Sequence, residues 1–235
     1  MERLISQKLK NWKKSKLRKP LIIRGARQVG KTYSLKEFGK NEFESFHLID
    51  FERNPELNSI FVKDKNPTRI LSELEIFLNK RINLENDLLI IDEIQNSPNA
   101  LASLRYFFEE LPKLHLIAAG SLIEFALQSI SFPVGRVESL TMHPMNFYEF
   151  LLATGNDVLS DNLLQPIEKH PENLHRRLLD ELRKYFFIGG MPEAVKSFID
   201  TNSFVAVEKI QKDLMDSFRQ DFAKYTGRTD KRCLD

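Results

Sequence analysis

Gly25-Ala26-Arg27-Gln28-Val29-Gly30-Lys31-Thr32 reads G-x-x-x-x-G-K-[ST], the pattern of a phosphate-binding loop. Its setting is the one the pattern needs. Leu21-Ile22-Ile23 leads in as a short buried strand, and Tyr33 to Lys40 continues as a helix. Gly25 and Gly30 let the chain turn tightly and approach a phosphate with no Cβ in the way. The loop's N–H groups and the N-terminus of the following helix form a positive concavity. Lys31 sets its ammonium against the β- and γ-phosphates of a nucleotide. Thr32 offers its hydroxyl to Mg²⁺, an ion that keeps several waters and needs few protein ligands. Arg27 and Gln28 lie where the motif leaves side chains unconstrained, so ligand contact and a solvent-facing role are both open. The nucleotide-binding set is therefore Gly25, Ala26, Arg27, Gln28, Val29, Gly30, Lys31, Thr32 and Tyr33, with ATP and Mg²⁺ as the expected ligands.

The second signal is Asp87-Leu88-Leu89-Ile90-Ile91-Asp92-Glu93. Four consecutive apolar residues suit a strand buried on both faces, as in a parallel sheet. The acids follow at its C-terminal end, where open α/β sheets hold ligands. Asp92 is placed to accept from a Mg²⁺-bound water or from Thr32, and Glu93 to orient and polarise an attacking water. A third run, Leu114 to Ala119, closes in Gly120-Ser121. It matches the strand that carries a polar sensor residue in many P-loop ATPases, with Ser121 as the candidate. Ser121 equally suits the N-cap of a helix over Leu122 to Gln128, and the two roles are compatible.

Around these strands the chain alternates between helical and extended patterns. Residues 1–16 read as an amphipathic helix with Leu4, Ile5, Leu9 and Trp12 on one side. Phe46 to Phe51 reads as a second strand. Asn54-Pro55 and Asn66-Pro67 each read as an N-cap followed by proline at the first helical position, opening helices at 55–62 and 67–81. Ser97-Pro98 opens another, and residues 134–141 form a fifth strand. The fold class is thus α/β, a parallel-sheet P-loop core of about five strands, of the additional-strand type. From Pro144 the pattern is helical only, apart from a polar, proline-broken stretch at 156–174 that reads as a loop. The expected organisation is a core over 1–143 with its basic N-terminal helix, then a helical domain over 144–235.

Composition sets bounds. With 235 residues, 42% hydrophobic and 29% charged, this is an ordinary globular balance, and a net charge of +2 does not by itself indicate nucleic acid. One cysteine, Cys233, excludes an internal disulfide framework and fits a reducing compartment. No signal-peptide pattern and no apolar run of spanning length is visible, so a cytoplasmic protein without a membrane partner is expected. Lys8, Lys10, Lys13, Lys14, Lys16, Arg18 and Lys19 cluster around Trp12. They read as the solvated face of the first helix or, alternatively, as a track for DNA phosphates. Trp12 is also a candidate wall for the adenine. The five histidines show no metal-ligand spacing.

Taken in order, R-G-A-R-Q-V-G-K-T (24–32), L-I-I-D-E-I-Q (89–95), A-A-G-S (118–121), F-P-V-G-R-V-E (132–138), H-P-M-N-F-Y-E-F (143–150) and G-G-M-P-E-A-V (189–195) resemble one group of AAA-type ATPases of bacteria and archaea, similar to the ORC and STAND types. The resemblance implies a Mg-dependent ATPase with a helical lid; this chain is expected to turn over slowly, the alternatives are a non-hydrolysing nucleotide-dependent switch or an ATP-regulated DNA-binding module, and the oligomeric state is open. It implies that Arg136 senses or neutralises γ-phosphate charge, from the same or a neighbouring subunit; a surface arginine paired with Glu138 is the other reading. It implies that Gly189-Gly190-Met191-Pro192 is a lid turn, although a plain helix–helix turn fits as well. Members of the group usually carry a further C-terminal region of unknown function. This chain stops where that region would begin, which implies a shortened form.

Overall fold

The computed structural model describes residues 3–121, 135–166 and 171–225. Residues 3–143 form one compact unit and the residues from Pro144 on form another.

The first unit is built on five parallel strands: β1 (Leu21–Arg24), β2 (Ser45–Asp50), β3 (Asp87–Asp92), β4 (His115–Ala119) and β5 (Glu138–Thr141). Their order across the sheet is β2-β3-β4-β1-β5. β3 and β4 are buried at every position, as expected for central strands covered on both sides. β5 is a short, mostly exposed edge. Helices α1 (Ile5–Lys14), α2 (Lys31–Glu42), α3 (Asn58–Lys63), α4 (Pro67–Leu78) and α5 (Pro98–Glu110) cover the sheet.

Side chains alternate across each strand. Ile22, Ile49, Leu89, Ile91, Leu116 and Ala118 join Phe61, Ile70, Leu74, Leu104 and Phe107 of α3, α4 and α5 in one core. The alternate residues Ile23, Leu88, Ile90 and Ile117 are equally buried and face the other way. On α1, Ile5, Leu9 and Trp12 are buried, whereas Leu4 is exposed. Strand registers bring Asp50 beside Asp92, and Leu21 between Ile117 and Glu138.

Prolines and caps act as read at two of three places. Asn66 accepts from the Arg69 N–H at 3.0 Å, and Ser97 accepts from that of Ala100 at 3.3 Å. Asn54 caps nothing. Its amide donates to Glu56, a single 3₁₀ turn (Pro55–Leu57) precedes α3, and the helix expected at 55–62 is correspondingly shortened. α4 stops at Leu78 instead of 81 because Asn79 turns left-handed at φ 51°. The helix expected after Ser121 lies outside the described residues, as does residue 134. The fifth strand, expected from 134, starts at Glu138, since residues 135–136 form a turn with Gly135 at φ 75°.

The second unit contains α6 (Phe147–Ala153), α7 (Asp157–Leu163), α8 (Glu172–Ile188), α9 (Pro192–Thr201) and α10 (Phe204–Tyr225). α6 opens with a capping box, Asn146 and Glu149 each accepting from the other's N–H. α7 corrects the expected loop over 156–174. Leu159 packs with Leu151 and Leu178, and that burial outweighs the polar local sequence. Gly189-Gly190 is the turn between α8 and α9. Gly190 lies against Met145, whose N–H donates to the Gly190 carbonyl at 2.7 Å, and a Cβ on Gly190 would come within 2.0 Å of the Met145 oxygen.

Candidate functional site

The C-terminal ends of β1, β3 and β4 converge on the loop of residues 25–30. Gly30 takes φ 93° and α2 starts at Lys31, so a helix N-terminus faces the loop. Gln28 is left-handed at φ 63°, a conformation that costs a side-chain-bearing residue energy and is held by the surrounding loop. Val29 is fully buried, and Ala26, Gln28 and Tyr33 are exposed. Lys31 is buried at 7% exposure, and its ammonium donates to the Gly25 and Ala26 carbonyls at 2.9 and 2.8 Å. Burial lowers its pKa, opposed by the charges of Glu93 and Asp92 and reinforced by that of Arg27.

Thr32 and Asp92, sixty residues apart, meet directly: the Thr32 hydroxyl donates to Asp92 Oδ2 at 2.6 Å. Asp92 Oδ1 accepts from the Glu93 N–H at 3.0 Å. Glu93 turns left-handed at φ 50° where the strand ends. Strain of this kind concentrates at sites where a side chain must be aimed. The Glu93 carboxylate accepts from the Gln95 amide. Its pKa is raised chiefly by burial, with Asp92 adding to the rise, while the Gln95 hydrogen bond and Lys31 oppose it. Ser121, 1% exposed, follows β4 and accepts from Arg27 Nε at 3.5 Å.

The donor set fits Mg²⁺. Thr32 and Asp92 supply two adjacent hard oxygens, and this ion is held by one or two carboxylates with water and phosphate completing its shell. Among the described residues there is no cluster of three or more His, Cys, Asp or Glu that would hold a metal by itself.

Two candidates lie elsewhere. Arg136 pairs with Glu109 at 3.2 Å instead of Glu138 and lies 6.0 Å from the Phe108 ring centroid. It precedes β5, at the N-terminal edge of the sheet, about 13 Å or more of strand away from the loop that follows β1. Within one chain it does not reach the cluster. Trp12 is at that same edge, buried, its indole N–H donating to the Lys19 carbonyl at 2.8 Å and its ring edge-on to His115. It walls no site beside the phosphate loop. The basic cluster is also partly consumed. Lys10 pairs with Glu42, Lys13 lies 4.3 Å from the Phe43 ring centroid, and Arg18 donates to the Lys113 carbonyl, which leaves Lys8, Lys14 and Lys16 exposed.

Two residues went unnoticed in the sequence. Gln95 had a signal, since it closes the L-I-I-D-E-I-Q run. Arg3 had none, being one cation among many near the N-terminus. Yet it is buried, donating to the Val29 carbonyl at 2.9 Å and the His143 carbonyl at 2.7 Å.

Among the described residues no helix is long and apolar enough to cross a membrane. Residues 17–151 match the family model described as an AAA domain, and residues 179–235 match a domain of unknown function. No curated protein matches. Similar solved structures include PCH-2 of C. elegans (12% identity, TM-score 0.45, covering 89% of this chain and 65% of that one). Another is AMPPCP-bound DnaA from Aquifex aeolicus (12% identity, TM-score 0.45, 95% of this chain and 67% of that one). The chain thus spans less than two thirds of PCH-2. With an AAA domain model matched over more than half its length, and with nucleotide binding supported by that match, the chain belongs to the AAA domain family.

Proposed function

We propose that this protein binds Mg·ATP in the cradle of residues 25–32 and hydrolyses it slowly, with the helical unit from Pro144 on as a lid that responds to nucleotide state. The observation that carries the reading is the 2.6 Å hydrogen bond between Thr32 and Asp92, with the Lys31 ammonium and the Glu93 carboxylate beside it. Mg²⁺, when bound, would supply positive charge that offsets the charge of the phosphates. Thr32 and Asp92 would hold it, and Lys31 would exchange its two loop carbonyls for phosphate oxygens. Glu93 orients a water for attack on the γ-phosphorus and takes its proton, while the bond to the bridging oxygen breaks. Ser121 senses the γ-phosphate. Coupling to the lid would run along the chain through Met142, whose N–H donates to the Arg24 carbonyl at 2.7 Å.

One observation favours a second reading, a nucleotide-dependent switch with little turnover: the Glu93 carboxylate is already engaged by Gln95. Calorimetric titration and steady-state turnover separate the readings. Lys31→Ala should lose most ATP affinity. Glu93→Gln should keep it while hydrolysis falls about 10²–10⁴-fold, the scale of a positioned general base. Unchanged affinity in a folded Lys31→Ala protein would rule out the cradle. If a Glu93→Gln protein turns over like the parent, the water-orienting role belongs to another residue or the protein is only a switch, and a parent rate close to the uncatalysed one marks the switch.

A further inference from the structure

Arg3 lies outside the matched AAA segment and outside every motif of the sequence. It is nevertheless 7% exposed, a burial that a guanidinium tolerates only when its donors are satisfied. One arm donates to the carbonyl of Val29, inside the phosphate loop, and the other to the carbonyl of His143, the last residue of the core unit. α1 holds it there. The Ser6 N–H bonds the Arg3 carbonyl at 2.9 Å, and Ile5, Leu9 and Trp12 fix the helix to the core.

We infer that Arg3 is a positioning residue for nucleotide binding: by fixing the Val29 carbonyl it sets the orientation of the Val29–Gly30 peptide, and with it the Gly30 N–H that faces the phosphates. The inference rests on the proposed reading of the loop as a nucleotide cradle. In a planar trans peptide the C=O and N–H vectors are opposed. A carbonyl drawn to the Arg3 guanidinium therefore turns the next N–H away from Arg3. Gly30, at φ 93°, has no Cβ to resist rotation of that peptide, so the loop's own sterics leave its orientation free. An external anchor is needed, and a charged donor is a strong one. The second arm, on His143, keeps the guanidinium from following the loop.

The anchored N–H would serve ADP and ATP alike, and Arg3 would not touch the reacting atoms. The expected signature is therefore a loss in binding with chemistry at saturation intact. Calorimetric titration of the full chain with ADP and with ATP, alongside steady-state turnover, reads this out. Arg3→Met keeps the apolar stem and removes the donors; both dissociation constants and KM should rise about 10- to 100-fold, with kcat within about threefold of the parent. Arg3→Lys, able to hold one carbonyl at a time, should fall between the two. Unchanged affinity in folded Arg3→Met, or a loss confined to kcat, would overturn the inference. Should Arg3→Met not fold, Arg3→Lys decides: intermediate affinity supports the anchor and parental affinity overturns it. Lys31→Ala serves as the reference. If Lys31→Ala loses affinity and Arg3→Met does not, only the role of Arg3 falls; if neither does, the nucleotide cradle falls with it.

Discussion

At Gly25 the backbone turns at φ +151°, and a Cβ built there would stand 2.1 Å from the carbonyl oxygen of Met142. The glycine is thus required by the protein's own chain, whatever a phosphate also requires. Gly25→Ala should cost stability without any nucleotide present, since strain at such a φ and overpacking against backbone each amount to about 1–3 kcal/mol. At about 2–4 °C per kcal/mol for a chain of this size, the melting temperature of the ligand-free protein should fall by about 4–24 °C. An unchanged melting temperature would mean that Met142 moves aside at little cost. Thr32 and Asp92 were legible as paired partners because the motif dictates their chemistry. The anchoring of Val29 by Arg3 was not, because a lone cation before an amphipathic helix has many possible destinations and only the folded chain selects one.

Among the elements, β4 carries a titratable group where α1 meets the sheet. His115 is buried beside Trp12 and Phe43, with ring centroids 6.1 and 4.9 Å away. Burial, reinforced by the charges of Arg18 and Lys13, lowers its pKa from 6.5 to about 4, against a weaker opposing hydrogen bond with the Leu84 backbone. Between those values the unfolded chain binds a proton that the folded chain refuses. The stabilisation associated with His115 is therefore complete above about pH 6.5 and is lost as the pH falls towards 4, roughly 2 kcal/mol by pH 4.5. Trp12, the single tryptophan, reports unfolding in urea. The parent should lose about 2 kcal/mol more than His115→Phe between pH 7 and 4.5; equal losses would show that His115 titrates as an exposed histidine. The strands were legible because apolar runs ending in turn residues have few other uses. α7 was hidden because Leu159 is buried by packing with residues of α6 and α8 such as Leu151 and Leu178, which no local pattern reveals. Asn54 resembled a cap because asparagine before proline suits both a helix start and a bare turn.

For the whole molecule, the position of Arg136 bears on assembly. Joined to Glu109 at the far edge of the sheet, it is out of reach of its own chain's phosphate loop. Turnover per chain should be independent of protein concentration, and Arg136→Ala should hydrolyse ATP at the parental rate. If turnover instead rises with concentration and Arg136→Ala is inactive, the arginine serves a neighbouring copy. Mixing it with Lys31→Ala chains would then restore activity, since each supplies what the other lacks. The strand order has a consequence for biosynthesis. β2 and β3 pair with each other early, but β1 lies between β4 and β5, with Leu21 against Ile117 and Glu138. The phosphate loop hangs from β1, so a nascent chain that ends before Ala119 lacks a complete neighbour on either side of that strand, and one that ends before Thr141 still lacks β5. The proposed nucleotide cradle is thus finished only once the last strand of the core has been synthesised, so binding of nucleotide would stabilise a completed core rather than a growing one.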